Sequence, residues 1–118
     1  MVLFFYGPNT FASRQKLRDT IAAYLKKTSS EMGVERIDGK TASLEQLVSS
    51  LQAMPFLTTS RLVIVEDLGS NKKVADKIQQ LCELVPTSTV AIFYESEVDQ
   101  RTIYFKSLNK IAKVAKFE

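Results

Sequence analysis

The sequence predicts a three-layer α/β domain with a five-stranded, mostly parallel, doubly wound sheet between helices. Three observations predict it. Val2-Leu3-Phe4-Phe5-Tyr6, Leu62-Val63-Ile64-Val65 and Val90-Ala91-Ile92-Phe93-Tyr94 are apolar without a break, as suits strands buried on both faces of a parallel sheet. Segments of helical periodicity lie between them. The connections are short, so strand and helix alternate four times before a last strand, with right-handed crossovers expected.

The first strand closes at Gly7-Pro8, and Asn9 or Thr10 can cap the helix that follows. Leu17, Ile21, Tyr24 and Leu25 give that helix its buried face. Lys26 and Lys27 suit the negative end of its dipole. Val34-Glu35-Arg36-Ile37 alternates apolar and charged residues before Asp38-Gly39, the pattern of an edge strand. The next helix runs from about Ser43 to Ala53. Leu44, Leu47, Val48 and Leu51 form its stripe, Ser43 is its N-cap, and Gln46 stands where a capping box needs it.

Glu66-Asp67 ends the third strand, and Gly69-Ser70-Asn71 makes a loop and cap. Val74, Ile78, Leu81 and Val85 predict one helix stopped by Pro86. A last helix from about Asp99 is expected to bury Ile103, Tyr104, Leu108 and Ile111. Phe105 lies off that face, where either packing or contact with another protein would account for it. Val114-Ala115-Lys116-Phe117 is the closing strand, at the other edge.

Composition narrows the chemistry. A chain of 118 residues with 45% hydrophobic and 25% charged residues is expected to form one domain, residues 1–118, with an ordinary core. There is no run of about 18 apolar residues to cross a membrane. Val2–Tyr6 is too short for a signal-peptide core and has no basic leader, so a cytoplasmic location is expected. The lone Cys82 falls in a helical apolar pattern and reads as a buried, inert thiol. The chain has no histidine, which removes His-based triads, general bases and metal ligands. One cysteine cannot build a thiolate zinc site. No catalytic residue, metal or cofactor is therefore assigned. The net charge of +3 permits contact with nucleic acid without arguing for it.

The first strand–helix turn is where such folds usually bind phosphate. A phosphate-binding loop needs a second glycine for close backbone approach, a lysine for charge, and a hydroxyl for magnesium. Here Ala12-Ser13-Arg14 stands in that place, and Asn9 and Phe11 bring bulky side chains. The GxGxxG of dinucleotide sites is missing too. Glu66-Asp67, lacking a phosphate cradle beside it, reads as a solvated strand end rather than a magnesium site.

The stretch that poses a question is Ala53-Met54-Pro55-Phe56-Leu57-Thr58-Thr59-Ser60-Arg61. Pro55 disfavours helical dihedrals at Met54, so the helix ends near Ala53. Met54 can still continue the apolar stripe. Phe56 and Leu57 would fall roughly 120–140° from Leu51, on the wrong side for the same core. Two answers stay open on the residues alone. The pair plugs the top of the core, or it stands exposed and docks into a partner's groove.

The whole chain resembles the N-terminal domain of the delta subunit of the bacterial DNA polymerase III clamp loader. The resemblance rests on the order and spacing of several pieces. They are the opening strand with Tyr6-Gly7 and Thr10-Phe11, and Asp38-Gly39 after the second strand. They continue with Leu51-Gln52-Ala53-Met54-Pro55-Phe56-Leu57, Ser60-Arg61-Leu62-Val63-Ile64-Val65-Glu66, and Asp99-Gln100-Arg101-Thr102. It implies an AAA+-like, P-loop-NTPase-related fold whose phosphate loop has degenerated. It also implies that Met54, Pro55, Phe56 and Leu57 form the clamp-binding site, the apolar pair entering a pocket on the sliding clamp (the beta subunit). On this resemblance the domain binds rather than catalyses, within a complex serving a DNA-directed DNA polymerase. Further helical domains of a longer chain would join the other loader subunits, and contact with DNA would be indirect. The alternative is a non-catalytic AAA+-like module that binds other loader subunits or DNA, using the basic Arg101, Lys106, Lys110, Lys113 and Lys116.

Overall fold

The computed structural model describes residues 1–28, 33–55 and 60–118. Five strands form one sheet: β1 (Val2–Tyr6), β2 (Val34–Asp38), β3 (Arg61–Glu66), β4 (Thr89–Glu95) and β5 (Lys113–Lys116). Their order is β2-β3-β4-β1-β5, and every neighbouring pair is parallel. The half-polar β2 and the four-residue β5 are the edges, as their composition predicts. The three apolar runs are the centre, where Phe4, Val63, Ile64, Val65, Ala91, Ile92 and Phe93 are fully buried.

The helices are α1 (Thr10–Thr28), α2 (Leu44–Gln52), α3 (Lys72–Ala75), α4 (Ile78–Glu83) and α5 (Ile103–Ile111). Alternation along each strand divides the core in two. Phe5, Leu62, Ile64, Ile92 and Tyr94 pack with Leu17 of α1. Phe4, Tyr6, Val63, Val65 and Phe93 pack with residues of α2, α4 and α5. This is the three-layer arrangement.

Local chemistry sets the ends of these helices. The side-chain oxygen of Asn9 accepts the Ala12 amide at 3.1 Å and opens α1. The Ser43 hydroxyl accepts the Gln46 amide at 3.0 Å and opens α2. Leu47 and Leu51 are wholly buried, with Leu44 and Val48 beside them. Such caps are each worth about 1 kcal/mol.

Three expectations are corrected. The single helix drawn through Val74, Ile78, Leu81 and Val85 is two short helices. Lys77 leaves the helical region at φ −97 and ψ 15, and its amide bonds back to Val74 O in a tighter turn. In α5, Ile103 and Ile111 are exposed by 58% and 44%, while Phe105 is buried. The phase is set by aromatic packing, because Phe105 meets the Tyr6 ring edge-on at 5.2 Å and the Phe4 ring at 6.0 Å. At 100° per residue, a face centred between Tyr104, Phe105 and Leu108 leaves Ile103 roughly 150° away. Third, Met54 does not continue the α2 stripe, for it stands 67% exposed.

Candidate functional site

The first strand–helix turn is closed by its own chain. Gly7 has φ 136, and a Cβ there would lie 2.0 Å from Phe117 O, so only glycine fits. The Asn9 amide donates to Phe117 O at 3.1 Å, and the Asn9 side-chain amide donates to Glu118 O at 3.1 Å. The Ala12 amide is held by the Asn9 side chain. The Asn9 and Ala12 amides at this helix start are thus already bonded to protein oxygens, and so less available to a phosphate. At the end of β3, Glu66 pairs outward with Arg36 at 3.3 Å. Asp67 lies 3.9 Å from Lys40, with its backbone in the left-handed region at φ 61. Among the described residues, no group of three or more His, Cys, Asp or Glu side chains is placed to hold a metal.

The end of α2 and the start of β3 have a different construction. After Gln52 the chain turns extended, with Ala53 at φ −60 and ψ 136, while its amide still bonds to Ser49 O at 3.1 Å. Pro55 disfavours helical dihedrals at the residue before it, Met54, so the helix does not resume there. Met54 points to solvent and Pro55 is half-buried. Phe56 and Leu57, the other two residues of the expected clamp-binding site, lie outside the described residues.

The chain re-enters at Ser60, whose carbonyl accepts the Tyr24 hydroxyl at 2.6 Å. Arg61 then begins β3. Its side chain is only 14% exposed, and Nη2 is 2.8 Å from Glu35 Oε1 on β2. Its Nη1 donates to Ser50 O and comes within 3.5 Å of Ala53 O, at the C-terminal end of α2. The Ser50 hydroxyl donates to the other Glu35 oxygen at 3.0 Å. One guanidinium therefore joins β2, β3 and the end of α2, its charge offset both by the carboxylate and by helix carbonyls. Sequence reading gave Arg61 no role. The available signal was a charge opening a strand buried on both faces, which requires a partner.

Two other buried polar pairs were missed. The Ser13 and Tyr94 hydroxyls lie 2.7 Å apart between α1 and β4, and the Arg14 guanidinium sits 5.5 Å over the Tyr94 ring. Glu95 is 2% exposed at the end of β4, and its Oε2 accepts the Tyr104 hydroxyl at 2.6 Å and the Gly69 amide at 3.0 Å. Burial pushes its carboxyl up to about 7, against the opposing effect of these hydrogen bonds. Cys82 is buried as expected, and burial drives its thiol up to about 12.

The strand order, the uniformly parallel pairing and a first turn without the residues of a phosphate loop define an AAA+-like α/β domain with a degenerate phosphate loop. The family described as DNA polymerase III, delta subunit, matches residues 3–118, and the chain belongs to that family. No curated protein matches the chain. Among solved structures, the Bacillus subtilis DNA clamp loader delta protein superposes with a TM-score of 0.75 at 21% identity, over 98% of this chain and 38% of that one. A DNA polymerase III gamma subunit-related protein from Thermotoga maritima gives 0.70 at 15% identity, over 100% of this chain and 41% of that one. Both likenesses concern the fold, and the chain spans about two fifths of the length of these structures. Among the described residues no helix is long and apolar enough to cross a membrane.

Proposed function

We propose that this chain is the sliding-clamp-binding domain of a clamp-loader delta subunit, acting through Met54, Pro55, Phe56 and Leu57. The observation that carries the reading is the exposure of Met54, 67%, where the chain leaves α2 next to a second apolar pair in sequence. Family membership supports it, as do the bonds that hold Ala53 to Arg61 of β3 and Ser60 to Tyr24 of α1.

The work is done by binding. Burying Phe56 and Leu57 in a pocket on the clamp would contribute on the order of 1.5–3 kcal/mol each. Ring opening would follow from differential affinity: a ligand shifts an equilibrium only by how much better it binds one state. A domain that fits the opened clamp interface better than the closed one opens the ring, or holds it open, without consuming nucleotide itself. Further domains of a longer protein would connect it to the other loader subunits and, through them, to DNA and the polymerase.

The runner-up is a non-catalytic module whose partner is another loader subunit or DNA. Of its basic residues, Arg101 pairs with Asp99 at 3.0 Å and Lys116 with Glu118 at 2.6 Å. Lys106, Lys110 and Lys113 are exposed. A pull-down on the sliding clamp compares wild type with Phe56→Ala/Leu57→Ala at two salt concentrations. Retention by wild type that is lost in the variant and insensitive to salt supports the apolar plug. Retention on DNA that falls steeply with salt supports the runner-up.

A further inference from the structure

We propose that Arg61 and Tyr24 are positioning residues for clamp binding, because they bond to the backbone at Ala53 and at Ser60, on either side of the proposed clamp-binding residues. The inference rests on the reading above that the clamp is bound by this stretch. At the outgoing end, the Arg61 guanidinium gathers the carbonyls of Ser50 and Ala53. At the returning end, the Tyr24 hydroxyl holds Ser60 O at 2.6 Å, and the Ser60 hydroxyl donates back to Tyr24 at 3.3 Å. Glu35 holds Arg61 by one oxygen at 2.8 Å and Ser50 by the other at 3.0 Å, so the guanidinium and the last turn of α2 share one anchor. The outgoing end is thereby tied to β2 and β3 of the sheet, and the returning end to α1, which packs on one face of it.

The chemistry suits positioning more than stabilisation. An ion pair whose carboxylate is 39% exposed adds little to folding. Bonds from one planar fork to a carboxylate and to helix carbonyls do restrict geometry, and lysine cannot copy them. Holding a binding segment near its bound shape raises affinity by lowering the ordering cost.

The test titrates the sliding clamp with wild type, Arg61→Gln, Tyr24→Phe and Phe56→Ala/Leu57→Ala, with melting temperature and hydrogen exchange measured on each. Arg61→Gln is expected to weaken clamp binding tenfold or more, and Tyr24→Phe about threefold, with the fold intact at the assay temperature. Amide exchange should quicken at 53–61 and not in β1 or β4. Arg61→Lys should recover little of the affinity. Added to Phe56→Ala/Leu57→Ala, Arg61→Gln should cost almost nothing more, since it acts through the plug. If the double alanine variant loses affinity while Arg61→Gln and Tyr24→Phe bind as wild type, the positioning role is overturned and the clamp reading stands. If the double alanine variant itself binds as wild type, the clamp reading fails, and the positioning role with it. Should Arg61→Gln not fold, Tyr24→Phe decides: unchanged affinity and exchange overturn the inference, and a local rise in exchange with weakened binding supports it.

Discussion

The Tyr104 hydroxyl donates to Glu95 Oε2 at 2.6 Å, with both residues almost fully buried. The Gly69 amide also donates to that oxygen, at 3.0 Å, and the nearby Asp67 charge opposes ionisation further. A carboxyl raised from 4.5 to about 7 binds its proton more tightly in the folded than in the unfolded chain. Its contribution to stability is therefore full below about pH 4.5 and is lost as pH rises towards 7. Glu95→Gln removes the titration. Chemical denaturation between pH 5 and 8 should show wild type losing about 2–3 kcal/mol relative to this variant. A difference constant with pH would contradict the burial of the charge.

The corrected face of α5 makes a paired prediction. Phe105→Ala opens a cavity beside Phe4 and Tyr6 and should destabilise by about 3–5 kcal/mol. Ile103→Ala, at a position 58% exposed, should change stability by less than about 0.5 kcal/mol. Denaturant midpoints for the two variants check the order. The reverse order would restore the face read from periodicity.

ATP with magnesium should leave the melting temperature unchanged, because the Asn9 and Ala12 amides already donate within the chain. A rise that grows with ATP concentration would show that the turn opens to take a phosphate.

Much of the fold was legible because its signals are local or nearly so. Three uninterrupted apolar runs placed the central strands, and the mixed Val34-Glu35-Arg36-Ile37 placed an edge. Ser43 and Pro55 marked the ends of α2 to within a residue. What escaped depends on contacts distant in sequence. The phase of α5 is set by rings on β1, nearly a hundred residues earlier. The Arg61–Glu35–Ser50 junction joins two strands and a helix, and no spacing rule links those positions. The closed phosphate turn was readable as a missing motif. Its occupant, the Phe117 carbonyl, became visible only when β5 was seen to lie beside β1.

For the candidate site the division is similar. The residues alone left the place of Phe56 and Leu57 open, and the family resemblance supplied Met54, Pro55, Phe56 and Leu57 as the proposed site; of these, Met54 is exposed. The residues that hold the ends of that segment, Arg61 and Tyr24, came from three-dimensional geometry.

The most direct measurement is the dissociation constant for the sliding clamp of wild type and Phe56→Ala/Leu57→Ala, with the fold of each checked by circular dichroism. If these two side chains enter the clamp as proposed, truncating both should cost more than about 2 kcal/mol together, roughly thirtyfold or more in the constant, with an unchanged spectrum. Equal constants for two folded proteins would contradict the account.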